Sequence, residues 1–131
     1  MNIVDSSGWL AYFADESNAE HFAIPLQDSD SLVVPTVTIY EVFKVVHRES
    51  SENDALEAIA AMQKGKVVEL SLSLAISASK LSTEHRLPMA DSVILATARH
   101  FGAVLWTQDS DFQGIAGVKY FPKNNESQLE V

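Results

Sequence analysis

The stretch Met89-Ala-Asp-Ser-Val-Ile-Leu-Ala-Thr-Ala-Arg-His-Phe101-Gly-Ala-Val-Leu-Trp-Thr-Gln-Asp109 decides the fold. Ala90, Val93, Ile94, Thr97 and Phe101 recur at helical spacing, and Gly102 supplies a stop. Val104 to Trp106 follows as a continuous apolar run, too short for a helix and without alternation. Such a run suits a strand buried on both faces, as in a parallel sheet covered by helices. An acid marks each end of the unit. Asp91 lies in the first turn of the helix, and Asp109 stands just beyond the strand.

The same alternation extends outward. Leu72 to His85 reads as a helix capped by Ser71, and Lys66 to Leu70 as a minor strand or a turn. Ser51 to Asp54 has the form of a capping box, with a helix running to Lys64 before Gly65. Thr36 to about Glu49 carries many β-branched residues. Ile39, Val42, Phe43 and Val46 nevertheless form one apolar stripe, and the pattern outweighs propensity. Leu32 to Val34 is a strand closed by Pro35. A helix over about 17 to 28 must begin, kink or end at Pro25. Residues 6 to 13 form a helix with Trp9, Leu10 and Phe13 on one side, and Met1 to Val4 is the first strand. Val118 to Phe121 is the last. The pattern predicts an α/β fold with a mostly parallel central sheet, helices on both faces, and an all-helical insertion between about 36 and 101. Ligands of such sheets bind beyond the carboxyl ends of the strands, where the strand order reverses.

The chain has 131 residues, the size of one domain, and at 47% hydrophobic it can bury a substantial core. With no cysteine, disulfides, thiolate metal sites and a cysteine nucleophile are excluded. No leader-like or membrane-spanning run stands out, so a soluble, cytoplasmic protein is expected. The net charge of -9 argues against gripping nucleic acid by bulk attraction. Residues 1–43 contain no Lys or Arg, while seven of the nine basic residues fall between Lys44 and Arg99. A local basic face is therefore compatible with the acidic whole.

Four acids occupy edges of apolar runs: Asp5, Glu41, Asp91 and Asp109. Carboxylates are rare there unless a partner offsets their desolvation. No Lys or Arg lies beside them, and a hard divalent cation is the simplest shared partner. Each has a local reading too. Asp5 can cap the helix after it, and Thr38 with Glu41 has capping-box spacing. Asp91 suits the field of a helix start, and Asp109-Ser-Asp111 suits an Asx-turn. Ser7 and Thr107 are hydroxyls placed to bond a carboxylate and hold its rotamer. His21, His47, His85 and His100 lack ligand spacing. Trp9, Phe13, Tyr40, Phe43 and Trp106 read as core or interface. There is no Gly-rich phosphate loop, dinucleotide fingerprint or nucleophile elbow.

Taken in order, these pieces resemble a PIN-domain ribonuclease, and most closely the VapC toxins of toxin–antitoxin pairs. Ile3-Val-Asp5-Ser-Ser7 is similar to the family's first strand and its Asp-x-Ser. Pro35 and the helix bearing Glu41 match the second acidic segment, and Pro88-Met-Ala-Asp91 the third. Leu105-Trp-Thr107-Gln-Asp109-Ser-Asp111-Phe112 resembles the late Thr-x-Asp-x-Asp-Phe pattern. The resemblance implies a three-layer α/β/α nuclease domain over residues 1–122, followed by a polar tail over 123–131. It implies metal-dependent cleavage of single-stranded or looped RNA, with one or two Mg²⁺ or Mn²⁺ ions per site. Asp5 is expected as the central ligand, with Asp91 and Glu41 completing one site. Asp109 would hold or position a second ion, with Asp111 accessory. Also implied are a homodimer, to which Trp9, Phe13 and the 36–49 helix contribute, and a cognate antitoxin protein laid over apolar surface. Lys44 and Arg48 follow Glu41 on related helical positions and are candidates to meet RNA, with Arg86 as another. The competing readings are a non-catalytic PIN-like binding module and another metal-dependent α/β phosphohydrolase or phosphoacceptor. The last would use Asp5 as nucleophile.

Overall fold

The computed structural model describes residues 1–123, so most of the tail assigned to 123–131 lies outside the described residues. β1 (Asn2–Val4) leads to α1 (Ser6–Phe13) and α2 (Ala19–Leu26). A 3₁₀ turn at Ser29–Ser31 precedes β2 (Val33–Pro35), α3 (Thr36–Glu49) and α4 (Glu52–Met62). β3 (Lys66–Val68), α5 (Leu72–His85) and α6 (Met89–Phe101) follow. β4 (Val104–Thr107), a 3₁₀ turn at Ser110–Phe112 and β5 (Val118–Tyr120) complete the described chain.

Every strand pair is parallel. Ile3 lies opposite Leu105, Leu105 opposite Val118, and Val34 opposite Val67. The β1-β4-β5 sheet joins the β2-β3 sheet through a parallel bridge between Asn2 and Leu32. The spatial order is therefore β3-β2-β1-β4-β5, and it reverses between β1 and β4. Pleating sends neighbouring side chains to opposite faces. Ile3, Val33 and Leu105 pack with Leu74, Leu81 and Ile94 under α5 and α6. Val4, Val34 and Trp106 pack with Trp9, Phe22, Val42 and Met62 under α1 to α4. Two buried faces on one sheet give the three-layer α/β/α arrangement, and they explain why the strands read as unbroken apolar runs.

Local contacts adjust some boundaries. α2 begins at Ala19 because Asn18 turns inward, donating to Gln108 Oε1 and to the Pro122 carbonyl, each at 3.1 Å. Pro25 sits in its last turn. Half of the expected box at Ser51 forms: Ser51 Oγ accepts the Asp54 N–H at 3.0 Å, but the Asp54 carboxylate accepts from Ser50 Oγ instead. The segment after Gly65 is a strand, fixed by β2, so the insertion between 36 and 101 is not all helical as expected. Lys66 N–H donates to Leu32 O at 2.8 Å, and a Cβ on Gly65 would stand only 3.0 Å from that same carbonyl. No helix among the described residues is long and apolar enough to cross a membrane.

Candidate active site

Asp5 leaves β1 at the point where the strand order reverses. Its Oδ1 accepts the Gly8 N–H at 3.0 Å and the Ser7 hydroxyl at 2.8 Å, and its Oδ2 accepts the Thr107 hydroxyl at 2.7 Å. The capping reading is thus correct, and capping also fixes where the carboxylate points. The residue is 2% exposed. Burial pushes its carboxyl up to about 6 against the pull of these three donors, and the charge of Asp109 adds to the rise. Thr107 Oγ1 also accepts the Asp109 N–H at 2.9 Å, so one hydroxyl ties the ends of β1 and β4 together.

Gly8 permits this arrangement. A Cβ there would fall 2.5 Å from Val4 Cγ1 and 2.9 Å from the Phe22 ring. Only a glycine lets α1 lie this close to β1 and bring its first N–H groups to Asp5.

Asp109 ends the loop after β4. Its Oδ1 accepts the Asp111 N–H at 2.9 Å, the expected Asx-turn. That turn swings Asp111 back, and Asp91, Asp109 and Asp111 each present an oxygen within 4.8 Å of the others. Asp91 is half-buried on α6. Burial first, then the charges of Asp109, Asp5, Glu41 and Asp111, push its carboxyl up to about 8. The resemblance implied Asp5 as the central ligand. Asp91 is the group under the electrostatic influence of all four others, while both Asp5 oxygens accept hydrogen bonds. Asp111, expected as accessory, is one of the close trio.

Glu41 is half-buried on α3. The Thr38–Glu41 box does not form, since Thr38 Oγ1 donates to Pro35 O at 2.6 Å. The Glu41 carboxylate instead accepts from Ser6 Oγ. Lys44, Arg48 and Arg86 are exposed. Among the described residues none of them pairs with these acids: Arg48 meets Glu49 at 3.3 Å, and the Lys44 ammonium lies 5.8 Å above the Tyr40 ring. Ser6, Gly8, Asn18 and Gln108 escaped the sequence reading. A glycine inside a short predicted helix was the one available signal, because it usually marks close packing.

The donor set fits a hard cation: oxygen only, close-set, and with one member, Asp91, that burial first and its neighbours' charges second hold against ionisation. Beside it, a cleft of about 770 Å³ runs between α1, α3 and α4 and reaches Ser7 and Gln108. Leu10, Phe13 and Val46 give it apolar walls, and Glu16, Glu49, Asp54 and Glu57 an acidic lining.

The sequence profile described as PIN domain matches residues 3–118. No curated protein matches the chain by sequence. Several solved structures share its fold. A toxin–antitoxin complex from Klebsiella pneumoniae superposes with a TM-score of 0.79 at 22% identity, covering 93% of this chain and 99% of that one. VapC20 of Mycobacterium tuberculosis, described as a Sarcin-Ricin loop cleaving toxin, gives 0.72 at 16% identity, covering 88% and 95%. DNA-bound VapBC from Salmonella typhimurium gives 0.71 at 14%, covering 93% and 98%.

Proposed function

The chain belongs to the PIN domain family, and from that membership we propose that it is a divalent-metal-dependent endoribonuclease, the toxin of a toxin–antitoxin pair. One observation carries the reading. Five carboxylates from four separate segments converge where the sheet order reverses, and three of them bring oxygens within 4.8 Å. Such a set is costly to hold ionised without cations. Mg²⁺ or Mn²⁺, one or two per site, would supply Lewis acidity toward a phosphodiester and lower the pKa of water. Asp91, Asp109 and Asp111 are the residues placed to hold an ion, with Asp5 and Glu41 completing the set. Ser7 and Thr107 orient Asp5. No histidine or covalent nucleophile is required. We assign residues 1–122 to the nuclease domain and place the protein in the cytoplasm.

RNA is the proposed substrate, in a single-stranded or looped segment, since a cation and a few local side chains must reach the scissile phosphate. VapC20 among the similar folds is described as a Sarcin-Ricin loop cleaving toxin. The antitoxin would lie in the cleft beside Ser7, an apolar face against Leu10, Phe13 and Val46 and a basic edge against the acidic lining. We also propose a homodimer. The phosphoacceptor reading is disfavoured because Asp5 has no second early acid beside it: the residue two positions on is Ser7, which donates to its carboxylate.

The test is cleavage of end-labelled RNA by purified protein with Mn²⁺, with EDTA, and with Asp91→Asn. Mn²⁺-dependent internal cuts that vanish in EDTA and in the variant are expected. Tight RNA binding with no cuts under any metal condition would favour a binding module instead.

A further inference from the structure

We propose that Ser6 is a positioning residue for Glu41, holding its carboxylate at the acidic rim before any cation arrives. The inference rests on the nuclease reading, in that Glu41 is taken as part of the site. Ser6 is the first residue of α1 and Glu41 lies on α3, so the bond from Ser6 Oγ to Glu41 Oε1 spans 35 positions of sequence. Among the described residues it is the only side-chain hydrogen bond to Glu41, and Glu41 makes no ion pair.

Glu41 needs such an anchor more than its neighbours do. Asp5 is fixed by three donors, and Asp109 by its own turn. Glu41 is a long side chain on a half-exposed helix position, and ordering it costs rotamer entropy. The charges of Asp109 and Asp111, joined by Asp5 and Asp91 once these ionise, push a glutamate away from the rim when no cation is present. One donated hydroxyl opposes both effects. Ser6 also follows Asp5 directly, so the anchor stands on the most constrained point of the site. The two serines therefore divide the work: Ser7 holds Asp5, and Ser6 holds Glu41.

The experiment compares wild type, Ser6→Ala, Ser6→Thr, Glu41→Ala and the Ser6→Ala/Glu41→Ala double variant. Mn²⁺ affinity is measured by calorimetric titration, and thermal melting in metal-free buffer. Ser6→Ala should bind Mn²⁺ roughly tenfold more weakly, the lower end of the usual loss for an outer partner of a metal ligand. Ser6→Thr should restore binding. Adding Ser6→Ala to Glu41→Ala should change little, and the melting shifts should be non-additive. Wild-type affinity in Ser6→Ala would overturn the proposal. So would an equal loss in the Glu41→Ala background, because a merely structural role for Ser6 does not depend on Glu41. A wild type that binds no Mn²⁺ would instead overturn the nuclease reading. The metal-free melting cycle then decides the Ser6–Glu41 link by itself, and additive shifts would refute it.

Discussion

Asp5 and Asp91 are held against their own ionisation, and that opposition has a measurable sign. Each starts from the usual value of 3.8, and in the folded protein they are pushed up to about 6 and about 8. Between those limits the folded state binds more protons than the unfolded chain. Their contribution to stability is complete below about pH 4 and is lost as pH rises through about 6 and then about 8. Metal-free Asp91→Asn should therefore melt higher than wild type at pH 8, and the gap should narrow toward pH 5. Added Mn²⁺ should stabilise wild type most at high pH, where the acids are ionised, and should leave the variant little changed. Circular-dichroism melts at both pH values, with and without Mn²⁺, check this. A gap that widens on acidification would remove Asp91 as the strained acid. The four principal acids were legible because each interrupts or ends an apolar run. The hydroxyl of Ser6 was not, because its partner lies 35 positions away and nothing local marks it.

Among elements, α1 carries the most information in the fewest residues. It starts at Asp5, supplies the Gly8 N–H, and crosses β1 so closely that Gly8 has no room for a side chain. In an open helix, Gly→Ala stabilises by roughly 0.5–1 kcal/mol. Here the sign should reverse. Gly8→Ala drives a methyl into Val4 and Phe22, and overpacking of this kind costs about 1–3 kcal/mol. Urea denaturation should show the loss, and Mn²⁺ affinity should fall with it as α1 is pushed away from Asp5. A more stable Gly8→Ala protein would mean that the crossing is looser than described. α3, α5, α6 and β4 were legible because stripe, cap and stop all lie within one segment. The start of α2 was misplaced because Asn18 answers to Gln108 and to the carbonyl of Pro122, remote groups that no local pattern reveals. β3 stayed ambiguous for the same reason: its pairing with β2 makes it a strand. Asp111 entered the acidic trio through a turn whose direction depends on the end of β4.

For the whole molecule the difficulty is charge. If RNA is the substrate as proposed, a protein of net charge -9 with an acidic cleft beside its acidic site must meet it without bulk attraction. Bound cations can answer for the scissile phosphate, and the flanking nucleotides need something else. The outer surface of α3 offers it. Tyr40 is 64% exposed, the Lys44 ammonium lies 5.8 Å above its ring, and Phe43 stacks on His47 at 5.5 Å. Aromatic faces beside a cation suit unstacked bases and their phosphates. Arg48 lies one helical turn beyond Lys44, and its exposed pair with Glu49 is weak enough to exchange for phosphate. Reversing Lys44 and Arg48 to Glu should weaken RNA binding at low salt and leave Mn²⁺ affinity unchanged. If each cation meets one phosphate of a single strand, the slope of log affinity against log salt should become shallower by about 1.4, at roughly 0.7 per contact. Fluorescence anisotropy with a short labelled RNA, in an Asp91→Asn background expected not to cut it, measures the RNA affinity and the slope, and calorimetric titration with Asp91 intact measures the Mn²⁺ affinity. An unchanged slope would place the RNA track on another face, leaving the aromatic surface of α3 to a protein partner.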